Sequence, residues 1–133
     1  LSKYDIICDC SDNFTTRYLL NDFCLKNKKI LISAAINKFE AHVFNFNFSK
    51  KIPCYRCFMP EIPGEEDKCD AEGLLPTVAG IAGTLQANEV VKSILGKKDE
   101  LVGKMIVFNT LNLNFRTIKL TRSADCIMGC SKK

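Results

Sequence analysis

Apolar and polar positions change rhythm several times along the chain, and each change marks an element. Tyr4 to Cys10 (Tyr-Asp-Ile-Ile-Cys-Asp-Cys) is a short, mostly apolar run ending in Ser-Asp-Asn. That is the pattern of a buried strand feeding a helix start. Phe14, Tyr18, Leu19 and Phe23 then recur at helical spacing, and the helix fades near Asn27. Ile30 to Ile36, rich in Ile and Ala, gives a second strand. Glu40 to Phe48 alternates, with Ala41, Val43, Asn45 and Asn47 on one side and His42, Phe44, Phe46 and Phe48 on the other. This predicts an amphipathic strand with a bulky face.

Lys50 to Gly73 carries Pro53, Pro60, Pro63 and Gly64 and reads mostly as loop. A loop of this length inside a compact domain is usually functional or mobile. Pro76 to Leu95 reads as a long helix: Pro76 sits where a missing N–H costs little, and Gly96 sits just past the end. Its first half, Ala79-Gly80-Ile81-Ala82-Gly83, is made of small residues that suit close packing. Lys104 to Phe108 and Asn114 to Leu120 are strands near enough to pair antiparallel, and Thr121 to Lys133 is a tail with two cysteines. Strand, helix and strand followed by antiparallel strands predict an α/β fold with a mixed sheet.

Composition narrows the function classes. The 133 residues suffice for one domain with a real core. No apolar run is long enough to span a bilayer, so a soluble protein without a membrane partner is expected. The net charge of +4 comes from scattered lysines, and no basic stripe is interleaved with aromatics. That argues against a nucleic-acid partner. The chain opens on Leu-Ser-Lys-Tyr-Asp, with neither an initiating Met nor a signal-peptide pattern. The expectation is a piece of a larger protein. Its 8 cysteines then point to a reducing compartment, the cytoplasm, rather than to a secreted disulfide framework.

Those cysteines are not evenly spread. Cys54-Tyr-Arg-Cys57 is a Cys-x-x-Cys knuckle, and Cys126-Ile-Met-Gly-Cys130 is a second pair with three intervening residues. Two such pairs can supply the closed tetrahedral thiolate shell that zinc favours. A redox disulfide or unconnected thiols are the alternatives. Zinc here would do a structural job, pinning the tail onto the loop after the third strand. Cys8, Cys10 and Cys24 read as small core residues. His42 reads as a packed or partly exposed side chain rather than a ligand.

Asp9-Cys-Ser-Asp-Asn13 lies at the carboxyl end of the first strand, the edge of an open α/β sheet where ligands bind. A carboxylate there can hold Mg²⁺ beside phosphates, and Arg17, one turn beyond Asn13, could reach a phosphate. The plainer reading makes Asp12 or Asn13 a helix N-cap and Arg17 a surface residue.

Asp9-Cys-Ser-Asp-Asn-Phe-Thr-Thr-Arg17 resembles the Asp-x-x-Asp-Asn-x-x-x-Arg signature of the ThiF/MoeB/HesA family, the ubiquitin-activating-like adenylyltransferases. Pro53-Cys-Tyr-Arg-Cys57 is similar to that family's first zinc knuckle. Cys69-Asp-Ala-Glu-Gly73, Gly80-Ile-Ala-Gly-Thr-Leu-Gln-Ala87 and Glu89-Val-Val-Lys92 resemble its cysteine loop and following helix, and Phe115-Arg116 its late strands. Tyr18-Leu-Leu-Asn-Asp22 and Cys57-Phe-Met-Pro60 look most like the eukaryotic members acting in molybdopterin synthesis and tRNA thiolation.

The resemblance implies that residues 1–133 are the C-terminal part of a Rossmann-like adenylation domain with a four-cysteine zinc site. It implies an ATP-dependent adenylyltransferase/sulfurtransferase that activates the C-terminal glycine of a ubiquitin-like sulfur-carrier protein, with a homodimer as its assembly. Asp12 would bind Mg²⁺ and, with Asn13, help hold ATP, with Arg17 a candidate phosphate contact. Cys54, Cys57, Cys126 and Cys130 would bind zinc. Cys69 matches the cysteine that attacks the carrier's acyl-adenylate, an incidental loop thiol being the alternative. The family's Gly-x-Gly-x-x-Gly loop, with its acidic and basic partners, is absent from these residues, so this piece alone is expected to bind ATP poorly, if at all. The rival expectations are a non-catalytic, zinc-stabilised protein-binding module and a zinc-ribbon nucleic-acid binder.

Overall fold

Asn13 starts the first helix by chemistry that the sequence makes plain. Its backbone is extended and its side-chain oxygen accepts from Thr16 N at 2.8 Å, satisfying one of the amides that a helix start leaves open. The computed structural model describes residues 1–61, 73–97 and 100–130. Among these, the elements run β1 (Ile6–Asp9), α1 (Phe14–Lys26), β2 (Ile30–Asn37), β3 (Glu40–Asn47), α2 (Tyr55–Phe58), α3 (Pro76–Ile94), β4 (Lys104–Asn109) and β5 (Asn114–Lys119). The strands lie side by side in chain order in one sheet of five. β1 and β2 are parallel across the α1 crossover, with Asp9 opposite Ser33, and the remaining pairs are antiparallel. The mixed α/β sheet expected from the sequence is the one observed.

The two faces of the sheet are covered differently. Phe44, Phe46 and Phe48 of the β3 segment pack with Tyr18 and Cys24 of α1, Tyr55 of α2, Met105 and Val107. On the other face α3 lies over β2 and β3. There Val78 and Ala82 meet Ala41 and Phe108. β3 is therefore covered on both sides. Ala41, Val43 and Asn45 are as buried as the phenylalanines, which corrects the expectation of a one-sided amphipathic strand. Of the small residues expected to pack closely, only Ala82 is buried: Ala79, Gly80 and Gly83 are exposed, and a side chain at either glycine would meet nothing within 4 Å, so the expectation of a closely packed small-residue stretch is corrected to a single alanine contact.

Cys24 is buried as expected, but Cys8 and Cys10 are exposed, not core. β1 is an edge strand, and α3 packs mainly over its neighbours, so the side of β1 that carries these thiols stays open. The loop after β3 also holds the short helix α2, which the proline-rich composition concealed. No helix among the described residues is long and apolar enough to cross a membrane.

Candidate functional site

The carboxyl end of β1 is built around Asp9, a carboxylate left 1% exposed at the end of an apolar strand. Burial of an ionised carboxylate requires partners, and Asp9 has them. Oδ1 accepts from Ser11 N at 3.0 Å and from Ser11 Oγ at 2.6 Å, and Oδ2 accepts from Ser33 Oγ at 2.8 Å. Arg17 Nε stands 3.4 Å from Oδ2. Arg17 is buried and not a surface residue. One of its terminal nitrogens donates to Ser11 O at 2.8 Å and to Ala34 O at 3.3 Å. The pair anchors the chain through Ser11, and the bend follows at Asp12 and Asn13.

Asp12 and Asn13 are both exposed. Together with Ser11, Arg17, Ala34–Asn37 and the first half of α3 they line a cavity of about 390 Å³. Asp12 Oδ1 accepts a 3.4 Å hydrogen bond from Asn13 Nδ2, and Asn13 spends its side-chain oxygen on the cap. Chemically, the corner offers an exposed carboxylate at the mouth of a largely apolar cavity, a placement that can serve a hard cation beside a polyanionic ligand. The cationic charge of Arg17 is engaged with Asp9 and two carbonyls.

The second cluster lies on the opposite side of α1. Cys54, Cys57, Cys126 and Cys130 bring their Sγ atoms within 4.8 Å of one another. Cys54 lies 3.9 Å from Cys57 and 3.7 Å from Cys126, and Cys126 lies 3.6 Å from Cys130. A tetrahedron with Zn–S bonds of about 2.3 Å has edges of about 3.8 Å, so the spacing fits one zinc. It is far too long for S–S bonds, which measure about 2.05 Å. Burial pushes the Cys54 thiol up, reinforced by Cys130, and burial first among several causes takes Cys130 up to about 12. Burial raises Cys126 too, but hydrogen bonds from Met128 N–H and from the other thiols outweigh it and leave Cys126 below its ordinary value. Packed thiols of this kind resist losing their protons together, and a dication is the species that stabilises four thiolates at once. The donor set thus fits a structural zinc. Cys69, the remaining candidate, lies outside the described residues.

α1 ties the two clusters together. From the helix that carries Arg17, Tyr18 Oη donates to Met59 O at 2.8 Å and Glu61 O at 3.0 Å, and Asn21 Oδ1 accepts from Tyr55 N at 2.8 Å. Tyr55, between the two knuckle cysteines, places its ring 5.8 Å from the Arg17 guanidinium. Asp9, Gln86 and Tyr55 lie within the motifs quoted from the sequence, but the sequence assigned none of them a role of its own. The available signals were a carboxylate and an amide at otherwise buried positions. Asp9 closes an apolar strand run, and Gln86 continues the Val78, Ala82 spacing along the buried stripe of α3.

The model of the ThiF family matches residues 1–128. Adenylyltransferase and sulfurtransferase MOCS3 of Drosophila virilis is 41% identical over 133 residues, covering 98% of this chain and 29% of that protein. The probable molybdopterin-synthase adenylyltransferase of Pyropia yezoensis is 46% identical over 123 residues, covering 90% of this chain and 32% of that protein. The chain thus spans under a third of the length of these relatives. Among solved structures, E. coli MccB with ATP superposes with a TM-score of 0.74 at 20% identity, over 93% of this chain and 39% of that one. That likeness concerns the fold. With the family model spanning nearly its whole length, the chain belongs to the ThiF family.

Proposed function

We propose that this chain is the C-terminal part of the adenylation domain of an ATP-dependent adenylyltransferase/sulfurtransferase that activates the C-terminal glycine of a ubiquitin-like sulfur carrier in the cytoplasm, for molybdopterin synthesis or tRNA thiolation. The observation that carries the reading is the exposed Asp12 carboxylate, presented beside the 390 Å³ cavity by the buried Asp9–Arg17 corner. Adenylyltransferase names among the relatives support it. In the proposed reaction a glycine carboxylate oxygen attacks the α-phosphorus of ATP. An O–P bond forms, the bond to the β-phosphate oxygen breaks, and pyrophosphate leaves.

Asp12 would hold Mg²⁺, which neutralises phosphate charge when bound. Asn13 fixes the start of α1 beside it, and Arg17 keeps the corner in shape while lining the cavity. Cys69 is proposed as the nucleophile of the next step, its thiolate attacking the acyl carbon and releasing AMP. Cys54, Cys57, Cys126 and Cys130 would hold zinc as a structural ion, and a homodimer is the proposed assembly.

The test is ATP–pyrophosphate exchange by the full-length protein. Asp12→Ala is expected to lower exchange by at least about a hundredfold, the scale of losing a charge-stabilising group. Exchange at the wild-type rate in that variant overturns the Mg²⁺ assignment. No exchange in the wild-type protein favours instead a non-catalytic, zinc-stabilised module that docks a carrier.

A further inference from the structure

The end of β1 is held from both faces of the sheet. On the α1 side, Arg17 and the serines grip the Asp9 side chain. On the α3 side stands Gln86, 5% exposed. Its Nε2 donates to Asp9 O at 2.9 Å and to Ile32 O at 2.8 Å, so one amide spans the two parallel strands. Its Oε1 accepts from Cys10 Sγ at 3.4 Å. Both donor hydrogens and the acceptor are thereby used. Two carbonyls facing the nitrogen fix which end of the amide is which. Two of the contacts fall on the last residue of β1 and on Cys10 after it, two positions before the exposed Asp12, and the third on Ile32 within β2.

We propose that Gln86 is a positioning residue for the cavity's carboxylate. It clamps the end of β1 and the middle of β2 to α3, so that the segment through Cys10 and Ser11 presents Asp12 in one place. A buried donor serving two backbone carbonyls is costly to lose, because those carbonyls then lack that partner. The first half of α3 also lines the cavity through Ala79, Ala82 and Gly83. Gln86 therefore sets the cavity's width and the position of its carboxylate with the same three bonds. This inference rests on the adenylation reading above.

The experiment measures ATP–pyrophosphate exchange by the full-length protein as a function of Mg²⁺ concentration. Gln86→Met keeps the length of the side chain and removes the donor. It is expected to raise the half-saturating Mg²⁺ concentration about tenfold, the worth of the lost bond to Asp9 O that holds the corner, while exchange at saturating Mg²⁺ stays near wild type. A purely structural role lowers the active fraction instead and leaves half-saturation where it was. Gln86→Glu keeps shape and polarity, and serves where Met at this position does not fold. Ionised, it turns an oxygen toward two carbonyls. Its Mg²⁺ requirement is expected to approach that of the wild type as pH falls, when the carboxyl regains one donor hydrogen. Half-saturation unchanged in both variants, with the wild type active, overturns the positioning role and leaves the adenylation reading standing. Absence of exchange in the wild type overturns that reading and the inference with it.

Discussion

The two faces of the sheet solve the same problem with different materials. Toward α1 and α2 the cover is thick and aromatic. Phe44 stacks on Phe46 at 5.5 Å, Phe46 on Phe48 at 5.6 Å, and Tyr55 meets Phe44 and Tyr18 edge-on at 5.7 and 5.4 Å. The four-cysteine cluster closes that face at the tail. Toward α3 the cover is thinner: among the described residues the buried cluster is Ala41, Val78, Ala82 and Phe108, with Ala34, Ile36 and Leu85 packed against it. Polar pins supplement it. Gln86 reaches two strand carbonyls, and Glu89 accepts from Asn45 Nδ2 at 3.0 Å while pairing with Lys92 Nζ at 2.6 Å. Apolar burial is non-directional and gives stability, whereas hydrogen bonds fix register. Strength therefore sits on the knuckle face, and positional precision sits on the face beside the cavity.

The largest expected effect tests the source of that strength. Zinc removal by a strong chelator, or Cys54→Ser, should detach the 121–130 tail and the knuckle from the aromatic cluster and abolish cooperative unfolding. Structural zinc contributes about 10–16 kcal/mol in isolated zinc-finger peptides. Elemental analysis should find about one zinc per chain. An unchanged thermal midpoint in the metal-free protein refutes the structural role of the cluster.

Next in size is a matched pair of truncations, one on each face. Phe44→Ala removes a ring touching Phe46, Tyr55 and Phe58 and should cost about 3–5 kcal/mol. Val78→Ala, equally buried on the other face, should cost about 1–2 kcal/mol, the worth of its smaller apolar volume. Urea unfolding of both reads the difference directly. Equal losses break the contrast between the faces.

The same contrast explains what was legible in the sequence. Elements declared by local rules were read within a residue or two: Asn13 as a cap, Pro76 at the start of α3, the alternation of β3, and two cysteine pairs that meet in space. What escaped was set by tertiary cover. Whether Ala41, Val43 and Asn45 face water or a helix depends on α3, which joins the chain some thirty residues later. Cys8 and Cys10 look like core thiols inside an apolar run and are exposed because β1 is an edge. Arg17 carries a family signature, but its burial against Asp9 follows only once β1, α1 and β2 are assembled. Cys69, the candidate nucleophile, falls outside the described residues.

The smallest expected effect concerns the one strong ion pair at the rim of the knuckle face. Arg56 grips Asp22 with two bonds, Nε to Oδ1 at 2.8 Å and a terminal nitrogen to Oδ2 at 2.7 Å, and lies 4.4 Å over the Tyr18 ring. Partial burial pushes the Asp22 carboxyl up. Hydrogen bonds from Arg56 and Asn21, and then the Arg56 charge, outweigh it and leave the group below its ordinary value. A carboxyl that ionises more readily in the folded chain stabilises that chain wherever it is ionised in both states. The contribution is therefore complete above the unfolded value of about 3.9 and fades as pH falls through the lower folded value. Solvent screening at this half-exposed site holds it to about 0.5–1 kcal/mol. Asp22→Asn should cost that much at pH 7, and the gap between variant and wild type should close as acid protonates Asp22. Acid also protonates the cysteine cluster, but it does so in both proteins, so the gap isolates the carboxylate. A gap that stays constant down to the onset of acid unfolding would mean that Asp22 acts by packing alone, and the knuckle face would then owe its hold on α1 to the aromatic contacts without help from charge.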